Sequence, residues 1–136
     1  MPAAKTLCTY LLTRDVAASA SFYSALCGYQ PVRRESWFTL LAPSADSLVQ
    51  LGLVDWVSEF VPRAARGDAQ AHYLEFVVDD VHAALSAIGG FDVEIIEHPI
   101  EHGPAAKAVL RDIDGHVITL VTPQSRFAEP PRQHVG

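Results

Sequence analysis

The chain repeats itself, and the repeat limits what it can fold into. Tyr10-Leu11-Leu12-Thr13-Arg14-Asp15-Val16-Ala17-Ala18 returns as Glu75-Phe76-Val77-Val78-Asp79-Asp80-Val81-His82-Ala83-Ala84. Each copy is an apolar, β-prone run that ends in Asp-Val and passes into alanine-rich sequence. A short carboxylate at that junction suits the cap of a helix, because it accepts the free N–H groups of the first turn. Asp15 and Asp80 are therefore expected to start two helices, about Val16–Leu26 and Val81–Ile88. In the first, Val16, Ala20, Phe22, Tyr23 and Leu26 make one apolar stripe. Gly28 stops it with a residue free to take positive φ, and Gly89-Gly90 stops the second.

Strands come after each helix. The pattern predicts them at about Gln30–Glu35, Trp37–Ala42 and Leu48–Leu53, then at about Val93–His98, Ala106–Arg111 and Val117–Val121. Pro43-Ser44-Ala45-Asp46-Ser47 and Asp112-Ile113-Asp114-Gly115 read as turns, with Gly115 in the left-handed position. Gly103-Pro104 is a further turn signal. Each half is strand–helix–strand–strand–strand, so the expected fold class is α+β with two βαβββ repeats. The expected organisation is a single domain over residues 1–136. Repeat one runs over about 5–53, a linker or flap over 54–70, repeat two over about 71–122, and an extended tail over 123–136.

One helix covers only one face of a four-stranded sheet, and the other face stays open until a second half supplies a wall. Two halves, from one chain or from two, then form a cup between curved sheets, and such clefts are common ligand sites. A homodimer is expected, because strand edges and an apolar flap need cover and two-fold pairing is the commonest solution. A net charge of −6 with no Lys/Arg cluster argues against nucleic acid. No apolar run approaches the roughly 20 residues that cross a bilayer, so no membrane partner is expected. The N-terminal segment reads as a strand and not as a signal peptide, so a cytoplasmic protein is the expectation. Cys8 and Cys27 are expected as free thiols in that reducing compartment.

The repeat resembles the vicinal oxygen chelate superfamily of glyoxalase I, extradiol dioxygenases and bleomycin-resistance proteins. The residues that carry the likeness are Asp15-Val16, Ser21-Phe22-Tyr23, Leu26, Gly28-Tyr29, Asp79-Asp80-Val81 and Arg111-Asp112-Ile113-Asp114-Gly115-His116. Ile113 stands where the family usually has proline. The resemblance implies metal ligands on the first and last strand of each half, at Cys8, Gln50, Tyr73 and Thr119. Metalloenzymes carry His, Gln or Glu there, since a divalent cation needs oxygen or imidazole donors at about 2.0–2.2 Å. Only Gln50 is such a donor, so no metal and no cofactor are expected. A one-residue slip would bring His72 into the cup in place of Tyr73. His98, His102 and His116 lie in or beside turns and are expected to be solvated.

Alternation along the first strand of the second half puts Tyr73 and Glu75 together in the cup. Glu75 there anchors a cation or takes a proton; the bland alternative pairs it with an arginine such as Arg14 or Arg111. By the resemblance, Trp37 and Thr39 face the cup and Phe38 does not. Trp56 and Phe60, in the linker, are either a flap of stacking surfaces or a short helix buried at a dimer interface. The expected site is Trp37, Trp56, Phe60 and Tyr73 as walls, Gln50, Glu75 and Thr119 as polar anchors, and Cys8, Tyr10 and Thr39 beside them. The expected function is sequestration of a small aromatic, antibiotic-like ligand, of the kind that confers resistance, without turnover. The alternative is a metal-dependent lyase, isomerase or dioxygenase of the same superfamily, with Glu75 as base and His72 on the metal. A third possibility is an interaction module whose cup is filled by its own side chains.

Overall fold

Asp15 and Asp80 do begin helices. In the computed structural model, which describes residues 3–67, 72–102 and 105–127, each Oδ1 accepts a backbone N–H three residues on. The bonds are Ala18 N at 2.9 Å and Ala83 N at 3.0 Å. The first half comprises β1 (Cys8–Thr13), α1 (Val16–Cys27), β2 (Gln30–Glu35), β3 (Phe38–Ala42) and β4 (Gln50–Asp55). The second comprises β5 (Leu74–Val77), α2 (Val81–Ala87), β6 (Ile95–His102), β7 (Ala105–Arg111) and β8 (Val117–Val121). Gly28 ends α1 with φ 74°, and its N–H returns to Ser24 O at 3.0 Å. Gly115 closes the β7–β8 turn at φ 91°. The expected Gly103-Pro104 turn lies outside the described residues.

Each half forms a four-stranded sheet, in the orders β1-β4-β3-β2 and β5-β8-β7-β6. The first and last strands of each half are parallel neighbours and the other pairs are antiparallel. The α+β, twin βαβββ expectation therefore holds. Strand alternation then decides which residues meet the helices. Leu11, Leu41, Leu51 and Leu53 of the first sheet join Ala106, Ala108, Leu110, Ile118 and Leu120 of the second in one buried cluster with Phe22, Tyr23, Leu26, Val81 and Ala84 of the helices. Phe22 meets Phe91 edge-on at 5.5 Å, and Phe76 lies against Tyr23 and Tyr29. The helix-covered faces of both sheets thus share a single core.

A polar joint fixes the two halves to each other. Asp112 is buried, yet its carboxylate accepts three donors: Tyr23 Oη–H at 2.5 Å, Asp114 N at 2.9 Å and His116 N at 2.8 Å. Those bonds offset the cost of taking a charge out of water. Burial, and then the neighbouring Asp112 charge, raise the Tyr23 phenol well above its ordinary pKa. From the same turn, Asp114 Oδ1 accepts Arg14 N at 3.1 Å and His116 Nε2 donates to Leu12 O at 2.9 Å. His116 is therefore not a solvated turn residue; the edge of β1 recruits it instead.

Trp56 and Phe60 do not share a helix; the one helical turn among the linker's described residues is the 3-10 turn Arg63–Ala65. Asp55 and Ser58 side chains cap successive tight turns through Val57 N and Phe60 N, as short polar side chains do in competition with helix. Of the tail, Pro123–Ser125 is a 3-10 turn rather than extended chain. No helix among the described residues is long and apolar enough to cross a membrane.

Candidate ligand-binding site

The face of the first sheet turned away from α1 is set by the same alternation. With Leu11, Leu41, Leu51 and Leu53 in the core, Cys8, Tyr10, Leu12, Phe38, Leu40, Gln50, Gly52 and Val54 lie opposite. Phe38, Val54 and Val61 form a separate buried cluster there, with Leu12 and Leu40 against it. The linker turns lay Phe60 on this face, 5.5 Å from the Tyr10 ring, 5.3 Å from Trp37 and 6.1 Å from Phe38. Tyr10 and Phe60 remain 44% and 51% exposed, so the cluster is a surface wall as well as a packing unit. Gly52 is what lets Tyr10 lie flat: a Cβ there would collide with its ring and press Phe38 at 3.2 Å.

Two expectations about β3 reverse. Phe38, not Thr39, belongs to the open face. Thr39 pairs with Leu53 across the sheet and lines a groove under α1 with Ala17, Ala20 and Ser24. The reason is that β3 starts only at Phe38, after a turn at Ser36 and Trp37. Trp37 still reaches the aromatic cluster, from the turn, with its ring 5.4 Å from Phe38. Trp56 parts company with Phe60: its N–H bonds Thr13 O at 3.0 Å, and it lines a cleft of about 480 Å³ with Tyr10, Arg14, His72, Asp114 and His116.

The open face of the second sheet is unlike the first. Leu74 and Phe76 pack on the shared core, which turns Glu75 and Val77 outward beside Thr119. Thr119 Oγ1 donates to Glu75 Oε1 at 3.5 Å, and Arg126 Nε lies 3.9 Å from Glu75 Oε2. The partner of Glu75 is thus Arg126, which the sequence did not single out. Arg111 pairs with Glu94 instead. Tyr73 stands just ahead of β5 and is 63% exposed.

Of the four positions that the resemblance marks for metal ligands, Cys8, Gln50, Tyr73 and Thr119, only Gln50 is a usual donor there. Cys8 and Gln50 are register partners on β1 and β4. Thr119 is partnered by Glu75 and donates its hydroxyl proton to that carboxylate. A neutral hydroxyl and phenol are poor donors. His72 is exposed in the cleft by Arg14, and the β5 register leaves it outside the strand. Among the described residues no three His, Cys, Asp or Glu side chains are grouped to hold a metal. Cys8 points its thiol at Gln50 O from 3.8 Å. Hydrogen bonding to that thiol, then partial burial, raise the phenol of Tyr10 above its ordinary value. Cys27 is a separate thiol, pushed up to about 11 by desolvation, and both cysteines are free.

With this geometry in hand the relatives are informative. The sequence matches the model of the Glyoxalase/Bleomycin resistance protein/Dioxygenase superfamily over residues 6–120. The chain belongs to that superfamily. No curated protein matches it in sequence. Among solved structures, a hypothetical protein from S. aureus superposes with a TM-score of 0.71 at 16% identity, over 89% of this chain and 95% of that one. TnmS3, an antibiotic binding protein from Streptomyces, gives 0.62 at 24% identity over 90% and 98%. A lactoylglutathione lyase from Agrobacterium tumefaciens gives 0.59 at 17% identity over 91% and 97%. At these identities the likenesses establish the superfamily's fold, and a binder and an enzyme share it.

Proposed function

We propose that this superfamily member is a small-molecule binding protein that sequesters an aromatic, antibiotic-like ligand without metal and without turnover. The observation that carries the reading is the unlike chemistry of the two open faces. One presents Tyr10, Trp37 and Phe60 as a stacking wall over the buried Phe38; the other presents the Glu75 carboxylate beside Thr119. An aromatic body with a positively charged group suits that combination. The donor set at Cys8, Gln50, Tyr73 and Thr119 supports the metal-free part.

The groove under α1 and the cleft beside Trp56 do not join the two open faces. In this reading the cup is completed by a second copy, the first-half face of one chain meeting the second-half face of its partner. Closure in this way covers the exposed apolar rings of Tyr10, Phe60 and Tyr73, at the cost in entropy that any association carries.

The test combines sedimentation at micromolar concentration, metal analysis and thermal shift. Expected are a dimer, substoichiometric metal, and stabilisation by a polycyclic cationic antibiotic. A ligand at 100 times its dissociation constant adds about 2.7 kcal/mol. Equimolar Zn²⁺, Mn²⁺, Ni²⁺ or Fe²⁺ with an activity lost on chelation would replace sequestration by enzymatic turnover. A monomer that nonetheless binds the antibiotic would overturn the shared cup alone.

A further inference from the structure

Beyond β8 the chain turns back over its own open face. Thr122 is pinned to β7 by two bonds: its N–H to Ala106 O at 3.1 Å, and Ala106 N to its Oγ1 at 3.0 Å. The 3-10 turn Pro123–Ser125 comes next, and Arg126 then reaches back to Glu75. Phe127 takes φ 65°, a conformation L side chains seldom adopt. Its ring, 86% exposed, lies 4.8 Å from the Arg126 guanidinium. A guanidinium is thus held between a carboxylate and an aromatic ring, the arrangement by which proteins hold organic cations.

We infer that Arg126 is an internal stand-in for the cationic group of the ligand, and that ligand enters the Glu75–Thr119 subsite by exchange with it. The inference rests on the binding reading above and specifies its ligand class: an amidinium or guanidinium attached to an aromatic body. The loose geometry argues for exchange. At 3.9 Å the ion pair lies outside hydrogen-bonding distance, and both partners keep contact with water, with side chains 52% and 31% exposed. Such a pair is weak enough for a ligand to displace. A planar cation with a clear approach to both Glu75 oxygens gains the charge-assisted bonds that Arg126 does not make. Lys107, whose alternation on β7 puts it on this same face, makes no ion pair with Glu75.

The probe is p-aminobenzamidine, a fluorescent aromatic amidinium, titrated into the full chain. Arg126→Ala is expected to bind it about two- to fivefold more tightly than the parent protein, the range an exposed ion pair supports. Arg126→Lys should stay near the parent, and Glu75→Gln should lose binding by roughly tenfold or more. In parallel, the Arg126 Nε–Hε NMR signal, assigned by its loss in Arg126→Lys, should move on Glu75→Gln. It should also move toward the free-arginine position as probe is added. Arg126→Ala binding no better than the parent would overturn the stand-in role, as would a probe that binds and leaves the Arg126 signal in place. If neither protein binds the probe while Glu75→Gln still moves the Arg126 signal, the cationic ligand class falls and the tail contact survives. If Arg126 already sits at the free-arginine position in the parent, the tail contact itself is wrong.

Discussion

In the first half, the linker lies down on the open face: Val61 is buried against Phe38 and Val54, and Phe60 rests on Tyr10 and Trp37. In the second half, the described part of the tail turns over the open face through Thr122 and the 3-10 turn, and Arg126 makes a loose reach to Glu75. The same connectivity thus yields one face that carries an apolar cluster of its own and one that carries none among the described residues. The lesson is that a duplicated unit need not duplicate its energetics. The segment C-terminal to each half differs: the linker packs Phe60 and Val61 on its sheet, whereas the tail brings Arg126 to its sheet and leaves Phe127 exposed. That difference decides whether the exposed side of each sheet adds to stability or stays available.

The contrast can be broken most directly at Phe38. Phe38→Ala is expected to cost about 3 kcal/mol in denaturant unfolding, as removal of a buried aromatic does. Val77→Ala, on the matching face of the second half, is expected to cost no more than about 0.5 kcal/mol. Equal losses at the two sites would mean that the faces are energetically alike.

The joint between the halves is the next largest target. Tyr23→Phe removes one of three donors from the buried Asp112 carboxylate and should cost about 1–3 kcal/mol. It should also change the response to alkali. The folded state raises the pKa of Tyr23 and that of Cys27, the latter to about 11. It therefore holds protons that the unfolded chain releases earlier. Their contribution is complete below the unfolded pKa values, about 8.5 for Cys and 10 for Tyr, and is lost as pH rises beyond them. Unfolding free energies measured from about pH 8 to 11 should fall in the parent protein and fall less steeply in Tyr23→Phe. Equal slopes would remove Tyr23 from the account.

A smaller loss than at Phe38 is expected at Gly52. Gly52→Ala should lift Tyr10 off β4 and cost about 1 kcal/mol by overpacking. It should also change the emission of Trp37, because Trp37 and Tyr10 both contact Phe60. An unchanged spectrum at reduced stability would show that the aromatic wall does not depend on Tyr10 lying flat.

Much of this architecture was legible in the sequence because its signals are local. Asp15 and Asp80 mark helix starts through a bond to a residue three positions away, and Gly28 and Gly115 mark backbone that needs positive φ. The side of a strand is harder to read when both faces are apolar. Phe38-Thr39-Leu40-Leu41-Ala42 offers no clean alternation, so the likeness to relatives placed Thr39 in the cup. Only the pairing of Thr39 with Leu53 and of Leu41 with Leu51 assigns the faces. The recruitment of His116 by Leu12 O and of Arg126 by Glu75 depends on contacts between distant segments. The positive charge and the imidazole were visible in the sequence; their partners were not. At Cys8, Gln50, Tyr73 and Thr119, residue types alone argued against a metal, and the register of β5 on β8 adds that Thr119 is partnered by Glu75.

The joint at Asp112 also bears on how the chain acquires its structure. Tyr23 and Asp112 are 89 positions apart, and Leu12 and His116 are 104 apart. The hydroxyl of α1 and the outer edge of β1 therefore find their partners only after nearly the whole chain is available. Closing loops of that length costs entropy before any contact repays it, and high sequence separation slows folding. During synthesis the first half waits with its helix unjoined and its core face incomplete, the state in which chains of this kind are prone to associate wrongly. The turn from Asp112 to His116 then acts as a late clasp, so a chain released before it emerges would carry the first repeat intact in sequence and unfinished in structure.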